Sequence, residues 1–466
     1  MVGWRNCQPI LMTMKISIIT VFPELHTTFL ATSIIGRACE RGLVTVRTLR
    51  LSDFCAPKER IDEPVVGPGA GMIIKPEVIE RAITACENDW GHGYKIFFSP
   101  QGTKLTQRYL RSMAAQLFNA PCAPSSEHPE SNEAQTSHVS PHLILICSRY
   151  EGIDARVEQH YADAVISIGD YVVTGGDIPA QIFLEGFLRL LPGVVGKQES
   201  VTEESFSGAL LDYPEYGLPV EWKGMRIPEI VQSGNHAAIK KWRTQQALHN
   251  TLNRRFDWFA SSQPTPEECT NALQTIPPHY VALMHTQVKL KDGTVGTTSI
   301  TSIDLHDTAR SCATYGIKNF FMVTPLIDQQ AIIATFLDFW RSDFGKNYNQ
   351  SRYHAVNKVL PTLNLDEVIK AITAAEGKAP LVVATSAKEY AHIRKIDFTQ
   401  QGTVWQHDRP VLLLFGTGQG LDDALIEKCD YLLVPVSGMT TYNHLSVRSA
   451  IAIVLDRWLG LHQQNS

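Results

Sequence analysis

Residues 142–192, HLILICSRYEGIDARVEQHYADAVISIGDYVVTGGDIPAQIFLEGFLRLLP, decide the fold of this chain. Two apolar runs of strand length, 142–147 and 164–168, each end in glycines and polar side chains, and the glycine pair 175–176 then opens a helix. Alternating strand and helix signals predict an α/β fold with a parallel sheet. Because parallel strands end at one edge of a sheet, the two polar strand ends predict a ligand crevice there.

Each glycine in this stretch, taken alone, is explained by a turn that requires a positive φ. The Arg, Tyr, Glu and Asp side chains beside the glycines are more than a connecting turn needs. The pattern therefore favours a binding site over two plain turns.

Composition limits the class of protein. At about 150 residues per domain, a chain of 466 residues is long enough for two to four domains. The net charge of -5 gives no global sign of nucleic-acid affinity, so any RNA contact must come from local basic patches. The nine cysteines are scattered without CxxC or CxxH spacing, which indicates neither a disulfide framework nor a metal site and favours a cytoplasmic protein. Neither a membrane span nor a signal-peptide core is found, so no membrane partner is expected.

Composition shifts divide the chain into segments. A buried-strand pattern, KISIITVFPEL, starts at Lys15, and a basic helical pattern lies within 212–262. Residues 119–141 are polar and proline-rich and predict a disordered surface insertion. The expected organisation is an N-terminal extension (1–14), an α/β domain (15–195), a flexible linker (196–211), a small all-α domain (212–262), a second linker (263–278) and a second α/β domain (279–466).

The second α/β domain is predicted from strand patterns at 280–284, 319–323, 381–385, 411–415 and 431–436. FGTGQGL, residues 415–421, follows a strand and is expected to open a helix, as in a dinucleotide-binding fold. That interpretation lacks the acidic residue expected at the end of the next strand.

Several motifs resemble those of the bacterial tRNA (guanine-N1-)-methyltransferases of the SPOUT superfamily. LILICSRYEGIDARV (143–157) and SIGDYVVTGGDIPA (167–180) are similar to the family signatures, and SPQG (99–102) and SGNH (233–236) agree with them. The resemblance implies a trefoil-knotted parallel sheet and a homodimer. It also implies transfer of a methyl group from S-adenosyl-L-methionine to N1 of the guanosine immediately 3′ of the anticodon in tRNA.

The same resemblance implies roles for individual residues. Glu204 stands where the family usually has an aspartate that acts as general base, with Glu203 as the fallback, and Arg189 is expected to meet the guanine O6. Asp62 matches a family acid near the target guanosine, although a solvated loop carboxylate explains it nearly as well. The residues implied to hold S-adenosylmethionine are Pro100, Gln101, Ser148, Tyr150, Glu151, Gly152, Ile168, Gly169, Asp170, Tyr171, Val172, Val173, Gly175 and Gly176.

Three features depart from or extend this pattern. Ser148 replaces the usual glycine, the loop 65–68 differs from the family sequence, and Glu151 is implied to assist through Mg²⁺. The helical segment is implied to grip tRNA, whereas a basic helix face by itself is usually only solvated. The tRNA-binding candidates are Asn235, His236, Lys240, Lys241 and Arg243.

The second α/β domain resembles a SPOUT-like RNA methyltransferase domain in the order of its motifs, 416–421, 435–438 and 443–450. Its substrate does not follow from the sequence, and it is expected to be either a second methyltransferase or a helper module. A non-catalytic RNA-binding or assembly protein with degraded sites is the alternative for the whole chain. The second-domain cofactor candidates are Gly416, Gly418, Gly420, Pro435, Gly438, Asn443, Leu445 and Ser446.

Overall fold

The computed structural model describes residues 13–68, 71–119, 141–196 and 204–462. Contacts along the chain group into two compact units, Met1–Ser207 and Gly208–Ser466. Most of the predicted N-terminal extension and surface insertion, and linker residues 197–203, lie outside the described residues. Within the described part of the chain, no helix is both long and apolar enough to cross a membrane.

The first unit alternates strands and helices, as the sequence predicts. Its elements are β1 (Met14–Thr20), α1 (Glu24–Leu30), α2 (Ser33–Glu40), β2 (Val44–Arg50), β3 (Asp62–Pro64), β4 (Met72–Ile74), α3 (Pro76–Trp90), β5 (Tyr94–Lys104), α4 (Gln107–Asn119), β6 (His142–Ile146), α5 (Ala155–Tyr161), β7 (Ala164–Ser167) and α6 (Asp177–Leu188), with a 3-10 turn at Leu51–Phe54.

The main sheet of this unit has the strand order β2-β1-β6-β5-β7 among the described residues, and all of its pairings are parallel. Strand β6 lies between β1 and β5, although β5 precedes it in the chain. In β6, Leu143 and Leu145 pack into one hydrophobic cluster while Ile144 and Ile146 pack into another. A strand buried on both faces reads as a continuous apolar run, which is why residues 142–147 show no polar alternation.

The second unit contains the helical segment and the second α/β region. Its elements are β8 (Glu221–Trp222), β9 (Met225–Arg226), α7 (Glu229–Gln232), α8 (His236–Arg254), α9 (Phe256–Ser261), α10 (Pro266–Thr275), β10 (His279–Met284), β11 (Val288–Lys289), β12 (Val295–Gly296), α11 (Ser302–Thr314), β13 (Asn319–Val323), α12 (Ile327–Arg341), α13 (Asp343–Tyr348), α14 (Gln350–Val356), β14 (Val359–Thr362), α15 (Leu365–Glu376), β15 (Leu381–Thr385), β16 (Lys395–Ile396), α16 (Gln401–Trp405), β17 (Val411–Gly416), α17 (Asp423–Ile426), β18 (Tyr431–Leu433) and α18 (Val447–Leu459).

The sheet of the second unit runs β14-β13-β10-β17-β15-β18-β16 among the described residues, again with parallel pairings. In β17, Leu413 and Phe415 pack on one face while Leu412 and Leu414 pack on the other. The prediction of an α/β class with parallel sheets is therefore confirmed. Strand β14 was not predicted, because Pro361 interrupts its short apolar run.

Two segments differ from the sequence-based expectation. Residues 263–278 have linker composition, yet they contain α10, whose N-terminus is fixed by a capping box between Thr265 and Glu268. The segment 212–262, expected to be all-α, includes the short antiparallel pair β8–β9. Both features depend on local side-chain hydrogen bonds and turns that apolar periodicity does not reveal.

Candidate active site

Three neighbouring strands of the first unit, β6, β5 and β7, end at the edge where the crevice is predicted. The register of β5 against β7 shifts between Phe98 and Thr103, so the intervening residues bulge out at this edge. The Gly176 N–H donates to the Ser148 carbonyl at 2.8 Å and joins the loops that follow β7 and β6. The predicted S-adenosylmethionine residues lie on these three segments: Pro100 and Gln101 in the bulge, Ser148, Tyr150, Glu151 and Gly152 after β6, and Ile168, Gly169, Asp170, Tyr171, Val172, Val173, Gly175 and Gly176 after β7.

The glycine pair before α6 passes directly against the loop that follows β6. A Cβ at Gly176 would lie 2.7 Å from the Ser148 nitrogen, and one at Gly175 would lie 2.7 Å from the Ser148 oxygen. Real side chains do not tolerate such distances to backbone atoms. The chain itself therefore requires both glycines here, whether or not a ligand is bound.

The loops that follow β6 and β7 expose apolar and aromatic side chains. Tyr150 is 51% exposed and has a positive φ of 59°, while Tyr171 and Val172 are 55% and 86% exposed. Strained backbone of this kind is found preferentially at ligand sites. Lys104 Nζ lies 2.8 Å from the Asp170 carboxylate and ties the β5 bulge to the loop after β7.

A buried ionic network, which the sequence analysis did not identify, lies beneath this edge. Asp177, fully buried at the start of α6, accepts hydrogen bonds from Thr20 and from Arg149 Nε at 2.8 Å, and its carboxylate lies 3.0 Å from His26 Nε2. Burial alone would raise the pKa of this carboxyl, but the His26 and Thr20 hydrogen bonds and the Arg149 charge lower it below its usual value. The partners lie 28 to 157 positions away in sequence, so no local pattern indicates the network.

Cys147 lies next to this network, and together these side chains include three types of residue that bind metal ions. One ligand atom each of His26, Cys147 and Asp177 lie within 4.8 Å of one another. Arg149 already neutralises the carboxylate, and burial raises the pKa of the Cys147 thiol well above its usual value. The Arg149–Asp177 ion pair, together with the Thr20 and His26 contacts of the same carboxylate, gives this cluster a structural role in the fold.

Glu204 and Arg189 form an ion pair, with Arg189 Nη2 2.5 Å from Glu204 Oε2. Gln107 Nε2 donates to Glu204 Oε1 at 3.2 Å, and Arg111 Nη2 lies 3.7 Å from the same oxygen. Sequence reasoning named the first two residues but missed Gln107 and Arg111, which reach the carboxylate from α4. The fallback base, Glu203, lies outside the described residues.

Asp62 begins β3, and its largely buried carboxylate accepts from Arg60 Nε at 3.0 Å. The Glu151 N–H donates to the Met72 carbonyl at 3.0 Å, so the β3–β4 hairpin lies against the loop that follows β6. Asp62 is thus on an element next to the crevice, but its side chain already has a cationic partner.

Of the tRNA-binding candidates, Asn235 precedes α8 and the other four lie in the first half of this helix. Asn235 caps the helix by accepting from the Ala238 N–H at 3.1 Å, so its side chain has a structural role. The Arg243 guanidinium lies over the Tyr213 ring at 4.5 Å. His236, Lys240 and Lys241 are exposed.

A cavity of about 770 Å³ lies at the carboxyl ends of β17 and β15 in the second unit. The Gly418 φ is +61°, and a Cβ there would lie 2.8 Å from the Lys289 oxygen, so glycine is required. Asn443 Nδ2 donates to the Ala387 carbonyl at 3.2 Å and closes one wall. Of the second-domain candidates, Gly416, Gly418, Gly420, Asn443, Leu445 and Ser446 line the cavity, whereas Pro435 and Gly438 lie in the adjoining loop without lining it.

The dinucleotide-binding interpretation of residues 415–421 does not fit the structure. The helix after this glycine-rich turn, α17, has only four residues and begins at Asp423. A dinucleotide fold needs a full helix whose N-terminus faces the pyrophosphate. The turn instead forms part of the cavity wall.

Comparisons with known proteins agree with the motifs. A family model described as tRNA (Guanine-1)-methyltransferase TrmD matches residues 14–118 and 121–261, and one described as SAM-dependent RNA methyltransferase matches residues 278–460. A tRNA (guanine-N(1)-)-methyltransferase of Nitratidesulfovibrio vulgaris is 36% identical over 453 residues, which cover 96% of this chain and 99% of that protein. Proteins of the same description from Oleidesulfovibrio alaskensis and Deinococcus radiodurans are 33% identical over 458 residues (96% of this chain, 99% of that protein) and 39% identical over 254 residues (54% of this chain, 82% of that protein).

Proposed function

The chain belongs to the tRNA (guanine-1)-methyltransferase family. On this basis we propose which residues bind the methyl donor and which act in catalysis. It is an S-adenosyl-L-methionine-dependent enzyme that methylates N1 of a guanine in tRNA, and it carries a second RNA methyltransferase domain. The target is the guanosine immediately 3′ of the anticodon, and the reaction takes place in the cytoplasm, where tRNA is used.

The crevice formed by the β5 bulge and the loops after β6 and β7 holds S-adenosyl-L-methionine, which when bound supplies a methyl group on a sulfonium. The Gly176 N–H donates to the Ser148 carbonyl, so the two loops that form this crevice are joined directly. Exposed Tyr150 and Tyr171 supply aromatic surface for an adenine ring. Ser148 fits here because its N–H and carbonyl, rather than its side chain, face the glycine pair.

Glu204 is the general base and Arg189 the oxyanion stabiliser. Guanine N1 carries a proton, so Glu204 takes that proton as the N1–methyl bond forms and the carbon–sulfur bond breaks, with the electron pair left on sulfur. Charge then develops on O6, and the permanent charge of Arg189 stabilises it. A carboxylate base contributes about 10²–10⁴-fold, and alignment of the reactants contributes up to ~7–11 kcal/mol.

The observation that carries this assignment is the direct Glu204–Arg189 pair. A guanine presents a donor, N1–H, next to an acceptor, O6. A carboxylate beside a guanidinium presents the complementary acceptor and donor, so the guanine edge can replace the ion pair without leaving either charge unpartnered. Glu204 is only 15% exposed at its side chain, so it is held in place before the substrate arrives.

Mg²⁺ does not receive a site from the described residues. Glu151 is exposed, and the described groups of three or more potential ligands do not include it. An Mg²⁺ ion bound by Glu151 would therefore keep most of its water ligands.

The active enzyme is a homodimer with a trefoil-knotted first domain. Exposed apolar side chains on α1 and α6, Leu25, Ile178 and Ile182, form adjacent surface, because Gln181 Nε2 donates to the Leu25 carbonyl at 2.8 Å. Exposed apolar patches of this kind mark protein interfaces. The knot is implied by the family resemblance for this sheet, in which β6 lies between β1 and β5.

The steady-state rate at which N1-methylguanosine forms in a tRNA transcript, measured by mass spectrometry of the digested RNA, tests the assignment. Glu204→Gln should lower kcat by about 10²–10⁴-fold, and Arg189→Ala by a comparable factor, with little change in affinity for S-adenosylmethionine. Glu40→Gln, which changes an exposed carboxylate at the end of α2, is the matched control and should keep full activity. A transcript with adenosine in place of the target guanosine should accept no methyl group from the first domain. Full activity of Glu204→Gln would remove it as the base.

A further inference from the structure

The helical segment that follows the linker shares one hydrophobic core with the second α/β domain. Leu248 and Leu252 of α8 and Phe259 of α9 are buried in the same cluster as Trp405 and Trp458. These side chains are at most 4% exposed. A shared core of this kind fixes the two parts as a single rigid body.

Specific contacts define the junction. The Asn253 carbonyl lies against Gly402, so that any Cβ at position 402 would overlap it. The Phe256 and Trp405 rings meet edge to face with centroids 5.1 Å apart, and the His462 N–H donates to the Ala260 carbonyl at 2.8 Å. Close backbone approach and hydrogen bonding on both sides of α9 leave little freedom for hinge motion.

The connection between the two parts is also structured. Helix α10 begins with a capping box, and its Ala272 belongs to the same buried cluster. The tRNA methyltransferase family model ends at residue 261 and the RNA methyltransferase model begins at residue 278. The segment between the regions matched by the two family models is therefore packed into the shared core, and it is not a flexible linker.

This body displays both a basic helix face and a ligand cavity. The first half of α8 contains no buried residue and exposes Lys240 and Lys241, whereas one face of its second half is buried at Ala247, Leu248, Thr251 and Leu252. Exposed lysines on a helix that the family resemblance assigns to tRNA offer positive charge to phosphate groups. The cavity of about 770 Å³ is of a size that accepts a nucleoside-sized ligand. RNA held by α8 is therefore held by the same rigid body that contains the cavity.

We propose that the second active site also methylates tRNA, so that the chain modifies one class of RNA at two different nucleotides. This inference rests on the proposed function in taking tRNA as the molecule that the α8 face binds. The acceptor atom of the second nucleotide forms a bond to the methyl carbon of S-adenosylmethionine, and the carbon–sulfur bond breaks with its electron pair left on sulfur. The acceptor's proton passes to Asp304, the one carboxylate among the described cavity-lining residues.

The test uses the full chain and a pool of unmodified tRNA transcripts in which the guanosine 3′ of the anticodon is replaced by adenosine. With radiolabelled S-adenosylmethionine, the chain should label this pool at least ten times more strongly than ribosomal RNA transcripts of equal mass. Glu204→Gln should leave the labelling unchanged. Asn443→Ala and Asp304→Asn should each remove most of it, and mass spectrometry of digested tRNA should identify one methylated nucleoside that disappears with them.

A charge reversal tests the role of the helix face. The double variant Lys240→Glu, Lys241→Glu should raise KM for the tRNA pool about tenfold or more, because repulsion replaces two phosphate contacts. Lys370→Glu, an exposed lysine on α15, is the matched control and should leave KM unchanged. Circular dichroism melting of each variant checks that the fold is retained.

Three outcomes would overturn the proposal: labelling of ribosomal RNA in preference to tRNA, no labelling of any RNA, or no effect of the charge reversal. Failure of the proposed function has a different result, because Glu204→Gln would then still form N1-methylguanosine in the natural tRNA transcript at the parent rate.

Discussion

At the scale of single residues, the Glu204 carboxylate is held by more than its arginine partner. Gln107 Nε2 donates to Oε1 of Glu204 at 3.2 Å. Loss of one such hydrogen bond costs about 0.5–1.5 kcal/mol. Gln107→Ala is therefore expected to lower kcat by about two- to tenfold with KM for tRNA unchanged. Gln116→Ala, exposed on the same helix, should have no effect. A rise in KM with unchanged kcat would show that Gln107 does not position the base.

Asp177 is the residue on which we expect the stability of the first unit to depend most. Without this carboxylate, the buried Arg149 charge loses its ion-pair partner and His26 loses its hydrogen-bond partner. Asp177→Ala should lower the free energy of unfolding by about 3–5 kcal/mol, measured by urea denaturation at pH 7. Asp170→Ala removes an exposed carboxylate that pairs with Lys104 and should change it by no more than about 0.5 kcal/mol. Equal effects of the two substitutions would contradict the network's structural role.

At the scale of elements, strand β10 carries a buried histidine at each end. His279 accepts hydrogen bonds from the Trp405 and Trp458 indoles at 3.1 Å, and His285 follows the last residue of the strand. Burial lowers the pKa of each histidine to about 4. Both are therefore neutral in the folded state at neutral pH.

The lowered histidine pKa values predict that the second unit loses stability in acid. Between about pH 6.5 and pH 4 the unfolded chain binds protons that the folded chain does not, so stability falls as the pH falls. From pH 7 to pH 5 each histidine should cost about 2 kcal/mol. Urea denaturation at the two pH values measures this, and His279→Gln should reduce the difference by about half. A stability that does not change over this range would contradict the prediction.

The loop crossing ahead of α6 gives a second prediction at this scale. Gly176→Ala places a Cβ 2.7 Å from the Ser148 nitrogen, so the two loops must separate. We expect a loss of about 1–3 kcal/mol in stability and at least tenfold weaker S-adenosylmethionine binding by calorimetry. Gly208→Ala has open space around its Cβ and should leave both quantities unchanged. If Gly176→Ala bound S-adenosylmethionine as tightly as the parent, the contact between Gly176 and Ser148 would not be part of the binding site.

At the scale of the whole molecule, the shared core of the second unit predicts cooperative unfolding across the family border. Leu252 of α8 is 1% exposed among side chains of the second α/β domain. Leu252→Ala should cost about 2–5 kcal/mol and lower the melting temperature of the entire unit in calorimetry. Leu461→Ala, with 45% of the side chain exposed, is the control. Melting of α8 alone, with the second α/β domain unaffected, would contradict a common core.

The sequence by itself determined the α/β class, the parallel pairing and most strands of the two main sheets, and it predicted a ligand crevice at the strand ends. Strands buried on both faces, such as β6 and β17, need continuous apolar residues, and that pattern is legible without a structure. Residues 319–323 and 381–385 were predicted with the bounds that the structure has. The motifs were also sufficient to identify the family, because its signatures are contiguous in the sequence and lie in the loops that follow the strands.

Tertiary structure alone decided which distant residues meet. Asp177 contacts Thr20 and His26, which lie more than 150 residues away in the sequence. Gln107 contacts Glu204, which lies 97 residues away. No local periodicity predicts such pairs. The joining of α8 to the second α/β domain is likewise invisible in the sequence, where residues 263–278 have the composition of a linker. Apolar periodicity tells which face of an element is buried, whereas the identity of the surface that covers it follows only from how the whole chain packs.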